Sequence, residues 1–315
     1  MRTHRWIDMY PDEFFCERAR HPVCYMAYGL AEPHGVHNAM GVDYYNSDLL
    51  CERAAEVHGG IVFPASTWHI QEQPYYDWER DCCSMGMSLS SSIPESLFLH
   101  NMLHHIRNMD DKGFGAGFLL SGHYLGDMRH DMQLLCEYYR LKTGAPMRFW
   151  AGCVNDLVPD VAEKVGLPED ADAHAGLMET SMVMALKPES VDLGKSDIPV
   201  NAPDGMAGGN EEYGAYCAPK DFEKAQPKPS AQIGEAMLSH FLDAIGRETG
   251  ALLDGYDRPI AYKAPTIIDM EALWTRFELL TSRYWRCVLT RAEAENGIVP
   301  PEFPGFEALG EHPCP

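Results

Sequence analysis

Short apolar runs recur along this 315-residue chain, each ending in a polar turn and followed by a stretch with apolar residues at helical spacing. Val23 to Gly29 runs into Glu32-Pro33-His34-Gly35-Val36-His37, and Gly117 to Leu120 runs into Ser121-Gly122-His123-Tyr124. Ser47 to His58 reads as a helix, stopped by Gly59-Gly60 before the strand Ile61-Val62-Phe63. Pro94 opens a second helix, in which Leu97, Leu99, Met102, Leu103 and Ile106 keep the spacing up to Arg107. Residues 128–142, 147–152 and 176–186 continue as helix, strand and helix, and Ala231 to Arg247 closes the unit. The alternation predicts an α/β fold, a mostly parallel sheet flanked by helices on both faces. Such sheets gather their chemistry at the carboxyl ends of the strands, where both polar turns fall.

Two stretches interrupt this rhythm. Trp68 to Ser92 is polar, aromatic and poorly periodic and reads as a long loop with one short strand; Gly194 to Ser230 reads as a surface excursion. Within the excursion, Gly205-Met206-Ala207-Gly208-Gly209-Asn210 lacks the Lys-Ser or Lys-Thr ending of a phosphate loop. After Gly255, residues such as Ile267, Ile268, Leu273, Trp274, Phe277, Leu279, Leu280, Trp285 and Val288 are too apolar for a disordered tail. Residues 1–255 are therefore expected to form the main domain. Residues 256–315 are expected to be an extension packed on it or on a neighbouring subunit.

Charge narrows the partners. With 25 Lys+Arg against 47 Asp+Glu, the net charge of -22 repels polyanions and argues against nucleic acid or an anionic membrane surface. A small neutral or cyclic substrate, or one held by a metal, is the expectation. The ten cysteines show no repeated Cys-x-x-Cys spacing, and most of them read as buried thiols of a reducing compartment. No apolar run follows the basic residues of Met1 to Asp8 and no stretch reaches membrane-spanning length, so a cytoplasmic location is expected.

Glu32 and His34 lie two residues apart, so on an extended segment both point towards one ion or a close pair. His37 is an equally available imidazole. Asp43 follows Gly41-Val42, and a carboxylate can bridge two cations. His123 ends a strand at the same sheet edge, while His174 is expected in a loop and Glu179 in the first turns of the next helix. From the residues alone a second reading stands beside the metal site: surface or capping carboxylates and a hydrogen-bonded structural His123.

Taken in order, these pieces resemble the creatininase (creatinine amidohydrolase) family. Glu32-Pro33-His34-Gly35 with Gly41-Val42-Asp43 resembles its Glu-x-His-Gly and Gly-Thr-Asp signature, and Ser121-Gly122-His123 its Asn-Gly-His element. His174-Ala175-Gly176-Leu177-Met178-Glu179-Thr180-Ser181 is similar to its His-Ala-Gly-x-x-Glu-Thr-Ser motif. The resemblance covers roughly residues 20–250.

It implies a compact α/β fold, two divalent ions per chain of the zinc, manganese or iron kind, and hydrolysis of amide or cyclic-amide carbon-nitrogen bonds. It also implies closed homo-oligomers, often hexamers. By motif, Glu32, Asp43 and His123 look like ligands of one ion and His34 and Glu179 of the other, with Asp43 bridging. Leu125 stands where creatininase itself has a ligating glutamate, which moves that role to Glu179 and weakens the case for creatinine as substrate. Pro64 to Trp78 also departs from the family and predicts a rebuilt pocket wall.

A metal pair that acidifies water makes a nucleophilic serine unnecessary, and no Gly-x-Ser-x-Gly elbow surrounds Ser66, Ser121 or Ser181. His174 is the motif's candidate proton donor or substrate-positioning residue, with Glu179 and Tyr124 beside it as catalytic candidates; His69 reads as a hydrogen-bonded loop histidine. Trp68, Tyr75, Tyr76 and Trp78 are candidates for a pocket wall or an oligomer contact. Two other readings share the ligands: a ring-opening carbon-carbon hydrolase of a cyclic polyol ketone, and a catalytically silent metal-binding assembly protein.

Overall fold

In the computed structural model, helix α1 (Pro11–Arg20) leads into strand β1 (Val23–Tyr28), helix α2 (Val42–His58) and strand β2 (Ile61–Val62). A two-residue antiparallel ladder, β3 (Tyr76–Asp77) with β4 (Cys82–Cys83), follows. Next come α3 (Glu95–Lys112), β5 (Ala116–Ser121), α4 (Gly126–Thr143), β6 (Arg148–Cys153), the short α5 (Val154–Leu157) and α6 (Val161–Lys164), α7 (Leu177–Leu186), α8 (Ala231–Leu253) and α9 (Ile267–Thr281). The structure describes residues 2–35, 37–64, 66–70, 76–77, 82–83, 91, 93, 95–124, 126–168, 174–195, 227–257 and 261–281.

Strands β2, β1, β5 and β6 lie in that order and are all parallel. The chain leaves β1 towards β2 on one side and β5 towards β6 on the other, so the order reverses between β1 and β5. Open α/β sheets bind ligands at the carboxyl ends of strands at such a reversal. The register sets Tyr28, Ser121 and Cys153 side by side at that edge.

Every residue of β1 and β5 is buried, as a sheet covered on both faces requires. Val23, Tyr25 and Ala27 join Phe118 and Leu120 in one core with Leu50, Met182 and Phe241 of α2, α7 and α8. The alternate residues face the other way, where Tyr28 meets Phe98 of α3 with ring centroids 5.6 Å apart.

Three helices differ from their expected bounds by more than two residues. Helix α2 starts at Val42 rather than Ser47 because its first turns bury polar side chains, Asp43, Asn46, Ser47 and Asp48, which carry no apolar periodicity. Helix α3 continues past Arg107, where Met109 and Asp110 are buried and Asp110 accepts a hydrogen bond from Tyr139 (2.7 Å). Helix α8 runs past Arg247, its Thr249 hydroxyl bonded to the Ile245 carbonyl (2.7 Å).

Residues 196–226 of the stretch read as a surface excursion, Gly194 to Ser230, and most of the aromatic loop, Tyr75 and Trp78 included, lie outside the described residues. The chain divides into units of Met1–Ala264 and Pro265–Pro315. The second contains α9, where the rings of Trp274 and Phe277 are 5.9 Å apart; Trp285 and Val288 lie outside the described residues. No described helix is long and apolar enough to cross a membrane.

Candidate metal centre

Asp43 stands at the middle of the site because two glycines let its backbone approach the sheet. A Cβ on Gly122 would lie 1.8 Å from the Asp43 carbonyl oxygen, and one on Gly29 would lie 2.7 Å from the Asp43 carbonyl carbon. The first turn of α2 is thereby wedged between the ends of β1 and β5. Ser47 fastens it, donating to the carbonyls of Asp43 (2.9 Å) and Tyr28 (3.2 Å).

Around Asp43 the polar turns converge. Its Oδ1 lies 3.0 Å from His34 Nε2, and its Oδ2 lies 3.0 Å from His123 Nδ1. Glu32 Oε1 is 3.1 Å from the same His123 nitrogen, and Glu179 Oε2 is 3.6 Å from His34 Nε2. Two donor sets result, Glu32, Asp43 and His123 on one side and His34, Asp43 and Glu179 on the other, each with its ligand atoms within 4.8 Å of one another. Glu32, His34 and His174 also meet that spacing.

Local bonds aim these donors. His34 Nδ1 donates to the Glu32 carbonyl (3.2 Å), which leaves Nε2 as the atom facing the carboxylates. Glu179, in the first turn of α7, accepts the Ala175 backbone N–H through Oε2 at 2.6 Å. Ala175 has φ +57°, a left-handed backbone that costs a non-glycine residue roughly 1–2 kcal/mol. The Glu179 carboxylate holds its N–H, and the Thr180 hydroxyl holds its carbonyl (3.2 Å). This turn sets His174 at the rim, with Nε2 donating to the Pro33 carbonyl (2.9 Å) and its ring 4.3 Å from that of His34.

Electrostatics favour a cation here. Burial disfavours the His34 imidazolium, yet Asp43, Glu179 and Glu32 outweigh it and push this histidine up to about 10. His123 is raised in the same way, against its burial, by Asp43 and Glu32. Burial opposes the Asp43 carboxylate too, but His34 and His123 hold it well below the usual range. Glu179 goes the other way, its burial raising the carboxyl more than His34 and His174 lower it. A quarter of its side-chain surface still reaches solvent, so it is the open side of the site.

The donor set suits divalent ions of the zinc or manganese kind, imidazole nitrogens with hard carboxylate oxygens. His34 Nε2 and Asp43 Oδ2 are buried and each faces an opposite charge 3.0 Å away. Buried donor atoms converging in this way can share a common ion.

The remaining candidates fall elsewhere. His37, as available in sequence as His34, turns away and bonds Thr180 Oγ1 (3.1 Å). His69 donates from Nδ1 to the Ile70 carbonyl (2.8 Å), faces Ser121 Oγ with Nε2 (3.2 Å) and stacks on Tyr28. Ser121 accepts the His123 backbone N–H (3.1 Å) and shapes the turn. Tyr124 is 52% exposed at the rim, beside a cavity it lines with Glu179. No pattern in the sequence marks Gly29, Asn46 or the strained Ala175, and the close approach of α2 to the sheet explains Gly29 and Gly122.

A parallel sheet with paired carboxylate-imidazole clusters at its switch point defines a metal-dependent hydrolase. The sequence profile described as creatininase, creatinine amidohydrolase, matches residues 9–247, and the chain belongs to this family. Among solved structures, a creatinine amidohydrolase (creatininase) is 20% identical, with a TM-score of 0.61 over 82% of this chain and 100% of its own. A manganese creatininase gives 0.58 at 20% identity over 81% and 99%. A Bacteroides fragilis NCTC 9343 protein assigned to creatinine amidohydrolase gives 0.56 at 17% identity over 82% and 99%. These likenesses show the fold. Comparison with curated proteins by sequence finds no match.

Proposed function

We propose that Glu32, Asp43 and His123 hold one divalent ion and His34, Asp43 and Glu179 a second, in a centre that hydrolyses the carbon-nitrogen bond of a small neutral amide or cyclic amide. The observation that carries this reading is Asp43, whose two oxygens each face a different histidine at 3.0 Å, so that one carboxylate serves both donor sets. When bound, the ions supply Lewis acidity, acidifying water and polarising the substrate carbonyl.

The chain's own residues supply the rest. The Pro33 carbonyl can only accept, so it fixes one proton of His174 on Nε2, and Nδ1, 4.0 Å from Glu32 Oε1, is the atom that would take up the proton released by the attacking water and pass it to the leaving nitrogen. A third of the His174 side chain is exposed, which lets a substrate reach it. Tyr124, exposed beside His123, positions the substrate at the rim. Glu179 has its Oε2 anchored on Ala175 and orients the open side of the centre.

The protein works on this reading as a cytoplasmic closed homo-oligomer, a hexamer by family resemblance. Ile267 and Ile268, 64% and 81% exposed at the start of α9, support an oligomer contact or pocket cover within residues 256–315. Truncation after Gly255 should lower the oligomer mass or the activity, and an unchanged, fully active truncated protein would remove both roles.

The direct test is reconstitution with zinc or manganese at neutral pH, followed by metal analysis and amine-release assays on amides, formamides and lactams. Two ions per chain with amine release are expected. Folded protein that retains no divalent ion overturns the centre. Full occupancy with turnover of cyclic polyol ketones alone moves the reading to carbon-carbon cleavage, and full occupancy without any turnover makes the protein a silent metal binder.

A further inference from the structure

Helix α2 carries a second polar side chain one turn beyond Asp43. Asn46 lies three residues on, on the same side of the helix, and is 4% exposed. Its Oδ1 has no hydrogen-bond partner among the described residues. Native proteins pair nearly all buried acceptors, and an orphan beside a reaction centre points to a group that arrives with a ligand. Asn46 lines a narrow cavity with Glu179, Tyr124, Asn155, Val154, Met178 and Met182. Thus Asn46 and the metal-donor carboxylate Glu179 line one cavity, and its described lining holds no lysine or arginine.

Resting on the proposed metal centre, we infer that Asn46 selects the substrate, its Oδ1 accepting a hydrogen bond from an N–H of a small neutral amide or cyclic amide. The lining explains the class. Beside Glu179, which the proposed ion engages, the described wall offers the thioethers of Met178 and Met182 and no lysine or arginine, a lining that suits a compact, weakly polar and uncharged body. A site built to pair a polar group discriminates strongly against analogues lacking it, because its own acceptor is then left unpaired.

The test uses the full chain reconstituted with zinc, its metal content measured first. The probes are 2-imidazolidinone, a neutral cyclic urea with two N–H groups, and its N,N′-dimethyl analogue, with binding followed by calorimetry or ligand-observed NMR. The wild type should prefer the parent urea by roughly tenfold, the scale of one well-placed hydrogen bond. Asn46→Ala and Asn46→Leu should keep their zinc and lose that preference.

A preference that persists in both variants overturns the inference, as does a zinc-loaded wild type that shows none. Loss of zinc from both variants also overturns it and assigns Asn46 to the scaffold of the centre. Asn46-dependent binding of a hydroxyl-rich cyclic ketone, without binding of the urea, overturns the amide class. Wild-type protein without zinc would overturn the underlying metal reading itself, which the metal measurement registers separately.

Discussion

Two pairs of buried histidines sit close together in this fold and behave in opposite ways. His34 and His123 face carboxylates, and His34 is pushed up to about 10 against the cost of burial. His37 and His69 are buried too but bond neutral groups, and burial pulls them down to about 4 and about 3. Burial is common to all four and decides nothing by itself. The partner decides: carboxylates create a place for positive charge, whether proton or metal, whereas hydroxyls and carbonyls fix a neutral ring as a structural strut.

The sharpest way to break this contrast is at Asp43, the carboxylate shared by His34 and His123. Asp43→Ala should cost both ions and lower turnover by more than about 100-fold, the upper range for losing a group that merely orients a ligand. Circular dichroism should still report a folded protein. Two retained ions with normal turnover would show that Asp43 does not bridge.

The next largest effect separates the two pairs directly. His34→Ala should lose one ion per chain with a small change in melting temperature. His37→Ala should keep both ions and lose roughly 2 kcal/mol of stability, since it removes a buried ring and its bond to Thr180. Equal loss of metal in the two variants would erase the distinction between ligand and strut.

The residues alone leave that distinction open, and only the family motif singles out His34. Glu32-Pro33-His34-Gly35-Val36-His37 offers two imidazoles three residues apart, and nothing in their order says which one turns inward. The strands were legible because β1 and β5 are fully buried apolar runs. The start of α2 was not, because Asp43, Asn46, Ser47 and Asp48 bury polar groups against the site and leave no apolar stripe to read. The donor residues and their division into two sets could be named from the family motifs, and the 3.0 Å contacts on either side of Asp43 supply the geometry that the motifs lack.

The pairs also predict opposite pH limbs for the chelated protein. His37 and His69 have folded values below the unfolded value near 6.5, so the unfolded chain binds more protons as the solution acidifies. Their contribution is present above about 6.5 and is lost as pH falls through about 4 and then about 3. His34 has a raised folded value, so its contribution is fully present below about 6.5 and is lost as pH rises through about 10. Urea midpoints should therefore peak near pH 6 to 7 and decline on both sides. Zinc should flatten the alkaline limb, because the ion takes the place of the proton on His34. An alkaline limb that zinc leaves unchanged would separate His34 from the metal.

The smallest expected effect lies at Ser121, which touches both classes. Ser121 Oγ faces His69 Nε2 at 3.2 Å, accepts the His123 backbone N–H at 3.1 Å and donates to the His123 carbonyl at 2.6 Å. It therefore stiffens the turn that presents His123, but it touches no donor atom of the centre. Ser121→Ala leaves those backbone groups and the His69 nitrogen short of a partner, at a cost of about 1 kcal/mol, or a few degrees in melting temperature. Gly122 still bonds the Tyr28 carbonyl (3.0 Å) and still admits the Asp43 backbone, so the position of the turn survives. Metal analysis should give the wild-type stoichiometry beside the lowered melting temperature. Loss of an ion at this substitution would mean that the strut histidine His69 and the metal-facing His123 form one coupled unit, and the contrast between the pairs would have to be redrawn around Ser121.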